Sequence, residues 1–170
     1  MNDASQLAAW FEAHAAPLVL YARQWLGERT RAEDVVQEVF LRLMAQTAEP
    51  ANVRAWLHTA VRNAAIEELR SAQRRHRREQ RVRETTPAWF DPRAGDLADA
   101  DAVQRAVAAL PPRQREVVTL RVWSGMTLGE ISQVTGLAVS TAHDEYRRGL
   151  EGIRRAMEKP CTTTSNQPTR

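Results

Sequence analysis

Apolar side chains recur every three or four residues along most of the chain, which is the spacing of an amphipathic α-helix. The pattern predicts a first helix from about Ser5 to Leu26, ended by Gly27, and a second helix that reaches Met44. A third helix is predicted from near Asn52 into a stretch rich in arginine. Because the periodic stretches are long and the whole chain has only seven glycines, the sequence predicts an all-α protein.

The second predicted helix has one apolar face and one acidic face. A capping box of Thr30 and Glu33 is predicted to satisfy the free amide groups at its start. Its inner face is apolar throughout: Val35, Val36, Val39, Phe40, Leu43 and Met44. The outward-facing residues are Glu33, Asp34, Gln37, Glu38 and Arg42, and the acids Glu33 and Asp34 in the first turn favour the helix dipole. Residue chemistry alone favours this stabilising role, and docking on a basic partner is the alternative.

Near the carboxyl end, two short predicted helices flank a tight turn. Thr127 and Glu130 form a capping box, and Gly136 lies where the chain must turn. Ser140 or Thr141 is placed to cap the second helix. The inner face of that helix carries side chains at helical spacing: Ala142, Tyr146, Leu150, Ile153 and Met157. This pattern is typical of a helix-turn-helix, whose second helix enters the DNA major groove; a helical hairpin that binds nothing is the alternative.

Length and composition narrow the class of protein. A chain of 170 residues predicts one or two domains. No run of about 18 apolar residues occurs, so we expect no membrane span, and the amino terminus lacks the basic and apolar regions of a secretory signal. The single cysteine, Cys161, excludes an intrachain disulfide framework and is typical of a reducing compartment. The sequence therefore predicts a cytoplasmic protein.

Charge is segregated along the chain, although the net charge is only +3. Residues 70–83 carry a net charge of +6, and residues 102–170 carry +4. Between them, residues 84–101 carry −4 and contain two prolines and a glycine, which predicts a linker. Two basic blocks separated by an acidic one predict two contacts with a polyanion. The seven arginines of the first block favour nucleic acid over a merely solvated face.

Three stretches of the chain, in their order along it, together resemble one family. They are AEDVVQEVFLRLM, WLHTAVRNAAIEELRSAQRR and LPPRQREVVTLRVWSGMTLGEISQVTGLAVST. The chain resembles the extracytoplasmic-function (ECF) group of the sigma-70 family, the smallest bacterial transcription initiation factors. The resemblance covers about residues 5–83 and 102–157, so it includes both predicted basic regions.

The resemblance implies two helical domains joined by a flexible acidic linker. Residues 1–83 would form sigma region 2, which in the family binds core RNA polymerase and melts the −10 promoter element. Residues 102–158 would form the helix-turn-helix domain of region 4, which recognises the −35 element. Residues 84–101 would be the linker, and residues 159–170 a disordered tail. The implied protein is an alternative sigma factor that acts without catalysis, cofactor or metal, with an anti-sigma factor as a further partner.

The resemblance also implies roles for individual residues. Polymerase binding is implied for Asp34, Gln37 and Glu38 on the acidic face of the second helix. The residues implied in DNA binding lie in the third helix, in its preceding loop and in the carboxy-terminal domain: Asn52, Arg54, Arg62, Asn63, Arg70, Arg74, Arg75, Arg115, Ser140, Thr141, His143, Asp144, Arg147 and Arg148.

The start of the predicted recognition helix departs from the family pattern. Where Lys, Ser and Arg are usual, this chain has His143, Asp144 and Glu145. One interpretation is an unusual base preference, since a carboxylate accepts a hydrogen bond from the amine of cytosine. The other is that nearby arginines carry more of the binding: Arg115, Arg121, Arg147 and Arg148.

Three other classes of protein are alternatives. A stand-alone helix-turn-helix repressor would use residues 102–157 without engaging polymerase, and it would bind palindromic sites as a dimer. A non-specific RNA- or single-strand-binding protein would use the arginine block alone. An enzyme is the least favoured class, because the four histidines share no ligand spacing and no phosphate-binding glycine loop occurs. His58 is interpreted as a helix-surface residue.

Overall fold

The computed structural model describes residues 4–79 and 98–158, with side chains for residues 5–74 and 102–158. Within these ranges every regular element is an α-helix, so the predicted all-α fold is confirmed. The seven helices are α1 (Ala4–Leu26), α2 (Arg29–Met44), α3 (Val53–Glu79), α4 (Ala98–Ala108), α5 (Pro112–Val122), α6 (Leu128–Thr135) and α7 (Val139–Glu158). The predicted tail and most of the predicted linker lie outside the described residues; α4 begins inside the predicted linker.

The first three helices form a bundle around an apolar core. Each of α1, α2 and α3 packs against the other two. Leu18 and Tyr21 of α1, Val36 of α2, and Leu57 of α3 are all buried there. The first helix ends as predicted, because Gly27 adopts a φ of 75° that side chains with a Cβ rarely take.

The start of α2 differs from the prediction. The helix begins at Arg29, and its N-cap residue, Glu28, makes no capping hydrogen bond through its side chain. Thr30 therefore lies in the first turn, and Glu33 accepts a hydrogen bond from Nε of Arg29 at 2.6 Å. The predicted capping box is wrong because the helix starts before Thr30. Met44, predicted to be buried, is 54% exposed at the end of the helix.

Helices α6 and α7 form the predicted helix-turn-helix. The capping box is confirmed, since Oγ1 of Thr127 accepts from the amide of Glu130 at 3.2 Å and the Glu130 carboxylate accepts from the amide of Thr127 at 2.8 Å. Gly136 turns the chain with a φ of 74°. The hydroxyl of Ser132 donates to the carbonyl oxygen of Leu137 at 2.6 Å, which ties α6 to the turn.

The inner face of α7 is smaller than predicted. The helix begins at Val139, so Ser140 and Thr141 lie in its first turn and neither caps it. Leu150 and Met157, predicted for the inner face, are 42% and 51% exposed. Small residues instead occupy the buried positions of α7, which lets α5 approach the helix closely.

One continuous core joins the two halves of the chain. Helix α3 packs against α6, and α1 contacts α5. Leu57 and Val61 of α3 belong to the same buried cluster as Met126 and Ile131 of the carboxy-terminal half. Periodicity did not predict this contact, because it reports which face of a helix is buried and not against which partner.

His58 corrects the prediction most plainly. The predicted position of His58 on the helix surface is wrong, because the residue is only 1% exposed. The ring of Tyr21 on α1 lies 5.5 Å from the imidazole, and Ser124, before α6, hydrogen bonds to it. His58 is therefore buried by the contact between the two halves, which periodicity does not register.

Gly149 of α7 allows the close packing of α5, because a Cβ there would lie 2.5 Å from Cγ2 of Val118. We expect Gly149→Ala to lower the free energy of unfolding by about 1–2 kcal/mol, since crowding a stiff, buried valine outweighs the gain in helix propensity. Gly152→Ala is the matched control, because its Cβ would meet only the rotatable end of Leu110, at 2.7 Å. Urea denaturation measures both variants, and equal stabilities would contradict the packing argument.

Candidate nucleic-acid interface

An exposed basic and polar surface runs along the middle of α3. Asn63, Arg70 and Arg74 share one side of the helix, and all three are exposed. Nη2 of Arg74 lies 2.9 Å from a carboxylate oxygen of Glu67, but so exposed a pair holds the guanidinium only weakly against a phosphate. Arg75 is also in α3, and its side chain lies outside the described residues.

A pocket of about 440 Å³ opens between the end of α2 and the start of α3. Its walls combine one indole ring with polar groups: Arg42, Ala45, Gln46, Trp56, Thr59, Ala60 and Asn63. An aromatic wall with hydrogen-bonding groups around it has the chemistry that holds an unstacked nucleobase. The pocket adjoins the exposed surface of α3 through Asn63, so a strand lying on that surface could place a base in it.

Asn52 and Arg54, both predicted to bind DNA, contact the helix-turn-helix in this structure. Oδ1 of Asn52 accepts from the amide of Ala55 at 3.0 Å, which caps α3, and Nδ2 donates to Glu130 at 3.0 Å. Nη2 of Arg54 lies 2.7 Å from both carboxylate oxygens of Glu130. Nη1 of Arg54 also donates to the carbonyl oxygen of Gly125 at 3.3 Å.

Glu130 therefore has partners in both halves of the chain. Burial raises the pKa of its carboxyl group, but hydrogen bonds from Arg54, Asn52 and Thr127 outweigh burial and lower the pKa to about 2. At neutral pH the group is a carboxylate that caps α6 and binds α3 at the same time.

A second contact between the halves lies deeper. Glu116 of α5 is only 4% exposed, and its Oε1 accepts hydrogen bonds from the hydroxyl of Tyr21 and from Nε of Arg62, each at 2.7 Å. The guanidinium of Arg62 also lies 5.7 Å from the ring centroid of Trp25. Burial, followed by the charge of Glu116, raises the pKa of Tyr21 well above its usual value, so the phenol keeps its proton and donates.

Arg54, His58 and Arg62 follow each other at intervals of four residues, and we call them the α3 row. Nδ1 of His58 lies 2.9 Å from the carbonyl oxygen of Arg54, and Nε2 lies 2.9 Å from the hydroxyl of Ser124. Because a carbonyl oxygen only accepts, Nδ1 carries the proton of the neutral ring and Nε2 accepts from Ser124. All three residues of the row thus contact the carboxy-terminal half.

The predicted DNA-binding residues at the start of α7 lie at the surface. The half-buried one is Thr141, and the exposed ones are Ser140, His143, Asp144, Arg147 and Arg148. The two acids that depart from the expected pattern differ from each other. The side chain of Asp144 is 57% exposed, whereas that of Glu145 is 14% exposed and lies 3.8 Å from Arg148. Asp144, whose Oδ1 lies 3.8 Å from Nδ1 of His143, therefore has the more open carboxylate of the two.

Two of the arginines proposed to add to DNA binding by α7, Arg115 and Arg121, donate hydrogen bonds to backbone carbonyl oxygens of the protein. Nη1 of Arg115 donates to the carbonyl oxygen of Ala108 at 3.1 Å, at the end of α4. Nη1 of Arg121 donates to the carbonyl oxygen of Met126 at 2.7 Å. Burial lowers the pKa of Arg115, as expected for a cation drawn partly out of water. Arg115 is half-buried, whereas Arg121, Arg147 and Arg148 remain exposed.

The predicted polymerase-binding residues share one exposed face of α2. Asp34, Gln37 and Glu38 all lie on this face, and Leu41 continues it one turn further at 64% exposure. Met44, at the end of the same face, is also exposed. The sequence pattern does not predict an apolar end to this face, although Leu41 gives a signal for it because it falls outside the apolar stripe of α2. The face is therefore acidic at its start and apolar at its end.

Neither a metal site nor a membrane span emerges from the part of the chain that the structure describes. No three histidine, cysteine or carboxylate side chains there are grouped so that they could hold a metal ion. No helix there combines the length and apolar character needed to cross a bilayer.

Comparison with known proteins identifies the family. The sequence family described as Sigma-70 region 2 matches residues 10–75, and Sigma-70, region 4 matches residues 100–151. ECF RNA polymerase sigma factor SigL of Mycobacterium tuberculosis is 31% identical over 164 residues, which cover 92% of each chain. This chain belongs to the ECF sigma factors. SigE of Mycolicibacterium smegmatis, another ECF sigma factor, is 25% identical over 180 residues that cover 96% of this chain and 67% of SigE.

Solved structures share the fold of this ECF sigma factor. The sigma factor RpoE from Bartonella quintana, in complex with the anti-sigma factor NepR, is similar with a TM-score of 0.71 and 22% identity, over 90% of this chain and 96% of that one. CnrH, in complex with the cytosolic domain of CnrY, is similar with a TM-score of 0.63 and 20% identity, over 92% and 90% of the two chains.

The contacts of the α3 row join the two matched sigma regions. The row lies inside the match to region 2, whereas Glu116, Ser124 and Glu130 lie inside the match to region 4. In this sigma factor the helix-turn-helix region is therefore bound directly to the helix that carries the predicted −10 residues.

We expect this sigma factor to lose stability as the pH falls from about 6.5 to 4.5, because buried His58 must then accept a proton. Burial is the main cause that lowers the pKa of His58 to about 4; the neighbouring charged or titratable groups are His14, Arg54 and Glu130, and Tyr21 contacts its ring. The unfolded chain gains the proton near pH 6.5, so the stabilisation is complete above that pH and is lost below it. Denaturation at pH 7 and pH 4.5 should differ by roughly 2–3 kcal/mol from this group.

His58→Gln is the matched variant, since it keeps hydrogen-bonding groups but cannot be protonated. Its unfolding free energy should lack this part of the pH dependence. Glu130 affects stability in a lower pH range. Because its pKa is lowered to about 2, its contribution to the free energy of unfolding is lost only as the pH falls from about 4.5 towards 2. A variant as sensitive to pH as the parent between pH 7 and 4.5 would contradict the role of His58.

Proposed function

We propose that this chain is an alternative sigma factor that binds core RNA polymerase and directs it to promoters with defined −35 and −10 elements. The observation that carries this proposal is the presence, in one chain and in order, of region 2 and region 4, each with an exposed polar surface suited to DNA. The protein acts by binding and not by catalysis. Because its partners are polymerase and promoter DNA, it works in the cytoplasm.

The −35 element would be recognised by α7 in the major groove. Arg147 and Arg148 are placed to contact phosphates, and Ser140 and His143 lie at the start of the helix, where side chains reach base edges. The open carboxylate of Asp144 favours a cytosine, whose N4 amine donates in the major groove. The base preference of this sigma factor would then differ from one set by basic residues at these positions.

The −10 element would be bound as a single strand along α3. Arg70 and Arg74 would contact phosphates, with Asn63 between them and the pocket beside Trp56. Taking a base out of the stack costs a few kcal/mol, and a pocket that already exists offsets part of this cost when it holds the base. Asn52, Arg54 and Arg62 are held by region 4 on a different side of α3, and would reach DNA only after release from it.

Polymerase would bind the exposed face of α2. Asp34, Gln37 and Glu38 supply charge and hydrogen bonds for a basic partner, and the adjoining Leu41 and Met44 supply apolar area. Such a patch, polar at one end and apolar at the other, is typical of a protein interface. An anti-sigma factor is a further proposed partner, supported by the complex of the similar sigma factor RpoE with NepR.

Transcription by purified core polymerase, with and without the protein, on a pool of genomic fragments tests this function. New start sites that share two upstream elements would support it, and the upstream element would show what Asp144 selects. Binding of the protein to palindromic DNA without binding to core polymerase would instead support the alternative, a stand-alone helix-turn-helix repressor.

The polymerase contact is tested by the double variant Asp34→Asn, Glu38→Gln. We expect its affinity for core polymerase to fall about tenfold, because two carboxylates at a charged interface are neutralised without a change in shape. Glu12→Gln is the matched control, since Glu12 is an exposed acid of α1 off this face. Fluorescence anisotropy of the labelled proteins measures the affinities. An unchanged affinity of the double variant would remove Asp34 and Glu38 from the interface.

A further inference from the structure

The α3 row is bound by two glutamates of region 4 that lie on different elements. Glu130 of α6 holds Arg54 and Asn52, while Glu116 of α5 holds Arg62 and Tyr21. Arg54 and Arg62 are eight residues apart, which is about 12 Å along the helix. Two separate points of attachment on one rigid helix fix both the position and the direction of region 4 on α3. We call these contacts the two-glutamate lock.

The lock occupies groups that the sequence assigns to promoter DNA. A guanidinium binds a carboxylate and a phosphate through the same pair of N–H donors, and Arg54 already places one terminal nitrogen within hydrogen-bond distance of both oxygens of Glu130. Arg62 is held by a carboxylate that is almost fully buried. Region 4 thus covers Arg54 and Arg62 with carboxylates that occupy the N–H donors a phosphate would need.

The contact between the regions is more than a chance surface pairing. Surface ion pairs contribute little, but here Glu116 and His58 are buried and the pairing continues into the shared apolar core. Breaking only one side of the Glu116 contact would leave a buried charge without a partner, which is strongly unfavourable. Separation of the regions must therefore hydrate both partners of this contact together.

We propose that the free chain is held in a closed, autoinhibited state by the two-glutamate lock, and that core polymerase and promoter DNA bind the opened state. The proposal rests on the proposed function of the chain as a sigma factor. Residues 80–97, which connect α3 to α4, number 18 and would reach at most about 60 Å if fully extended, so the chain permits the two regions to separate. Opening breaks the contacts with Glu116 and Glu130, and so frees Asn52, Arg54 and Arg62 to bind DNA.

The test compares the parent chain with Glu116→Gln, Glu130→Gln, a double variant that removes both charges. Glutamine keeps the shape of glutamate and is also accepted at the last position of a capping box, so α6 retains its cap. Glu68→Gln is the matched control, because Glu68 forms a partly buried ion pair with Arg31 at 2.5 Å that lies wholly within region 2. Circular dichroism checks that each variant keeps its helices.

Distances are measured by pulsed electron resonance on spin labels at Ala51→Cys and Gln133→Cys, with Cys161→Ser removing the native thiol. Both sites are exposed, and each lies within three residues of the Asn52–Glu130 contact. We expect one short, narrow distance distribution in the parent and in Glu68→Gln, and added long distances in the double variant. Small-angle scattering of unlabelled protein should show a larger radius of gyration for the double variant alone.

Binding to core polymerase is the functional readout. Because the apparent affinity of a partner is reduced by the fraction of chains in the competent state, the double variant should bind core polymerase at least threefold more tightly than the parent. Glu130→Gln should raise both polymerase affinity and promoter opening. Arg54→Gln should raise polymerase affinity but lower promoter opening, since it breaks the lock and also removes a DNA ligand.

Several results would overturn the proposal. A parent chain with a broad distance distribution would exclude the closed state, and a double variant as compact as the parent would exclude the lock. Opening without a gain in polymerase affinity would exclude inhibition. If neither chain binds polymerase, the proposed function fails, whereas the distances still decide whether the lock holds the regions together. Should the double variant lose helical content, Glu130→Gln alone, at the more exposed of the two contacts, decides the question.

Discussion

The carboxylate of Glu116 is the constraint on which the arrangement of this protein depends. A charge that is 4% exposed must be compensated, and its partners, Tyr21 and Arg62, both belong to the other half of the chain. Region 4 packed elsewhere on region 2 would lose both of these partners, and Glu116 would then have to be hydrated or paired anew. The apolar core between α3 and α6 adds area to the contact, but apolar area has no direction, whereas the carboxylate selects one orientation.

The elements of the fold could be predicted from the sequence, because they rest on local signals. The helical periods, Gly27, the Thr127–Glu130 capping box and Gly136 all act within a few residues of where they occur. The contact between the regions could not be predicted in this way. The spacing of Arg54, His58 and Arg62 is visible as a row with a period of four, but an isolated row on a helix equally predicts a solvated face or a phosphate-binding one. Only the packing of region 4 shows that glutamates are its partners.

The same limit applies to the candidate site, because a sequence pattern indicates which residues are exposed but not which distant segment covers them. Side chains that need only to be exposed, such as Arg70, Arg147 and Asp144, are where the sequence placed them. Those whose role depends on a distant segment were missed, as with buried His58, or were assigned to DNA while the structure shows them bound within the protein, as with Arg115. The departure from the family pattern at Glu145 also becomes smaller, since its side chain is largely covered, whereas that of Asp144 is exposed.

Glu130 and Glu116, which bind the two ends of the α3 row, keep different hydrogen bonds once region 4 separates from region 2. When Arg54 leaves, Glu130 keeps its hydrogen bonds with the amide and hydroxyl of Thr127, so its carboxylate is never without a donor. Glu116 has no such reserve among the contacts that hold it, because Tyr21 and Arg62 both depart with region 2. The contact between Arg54 and Glu130, near the amino-terminal end of α3, is therefore easier to break than the contact between Arg62 and Glu116. We expect the regions to separate first near Arg54, while they still pivot about the Glu116 contact, which breaks last.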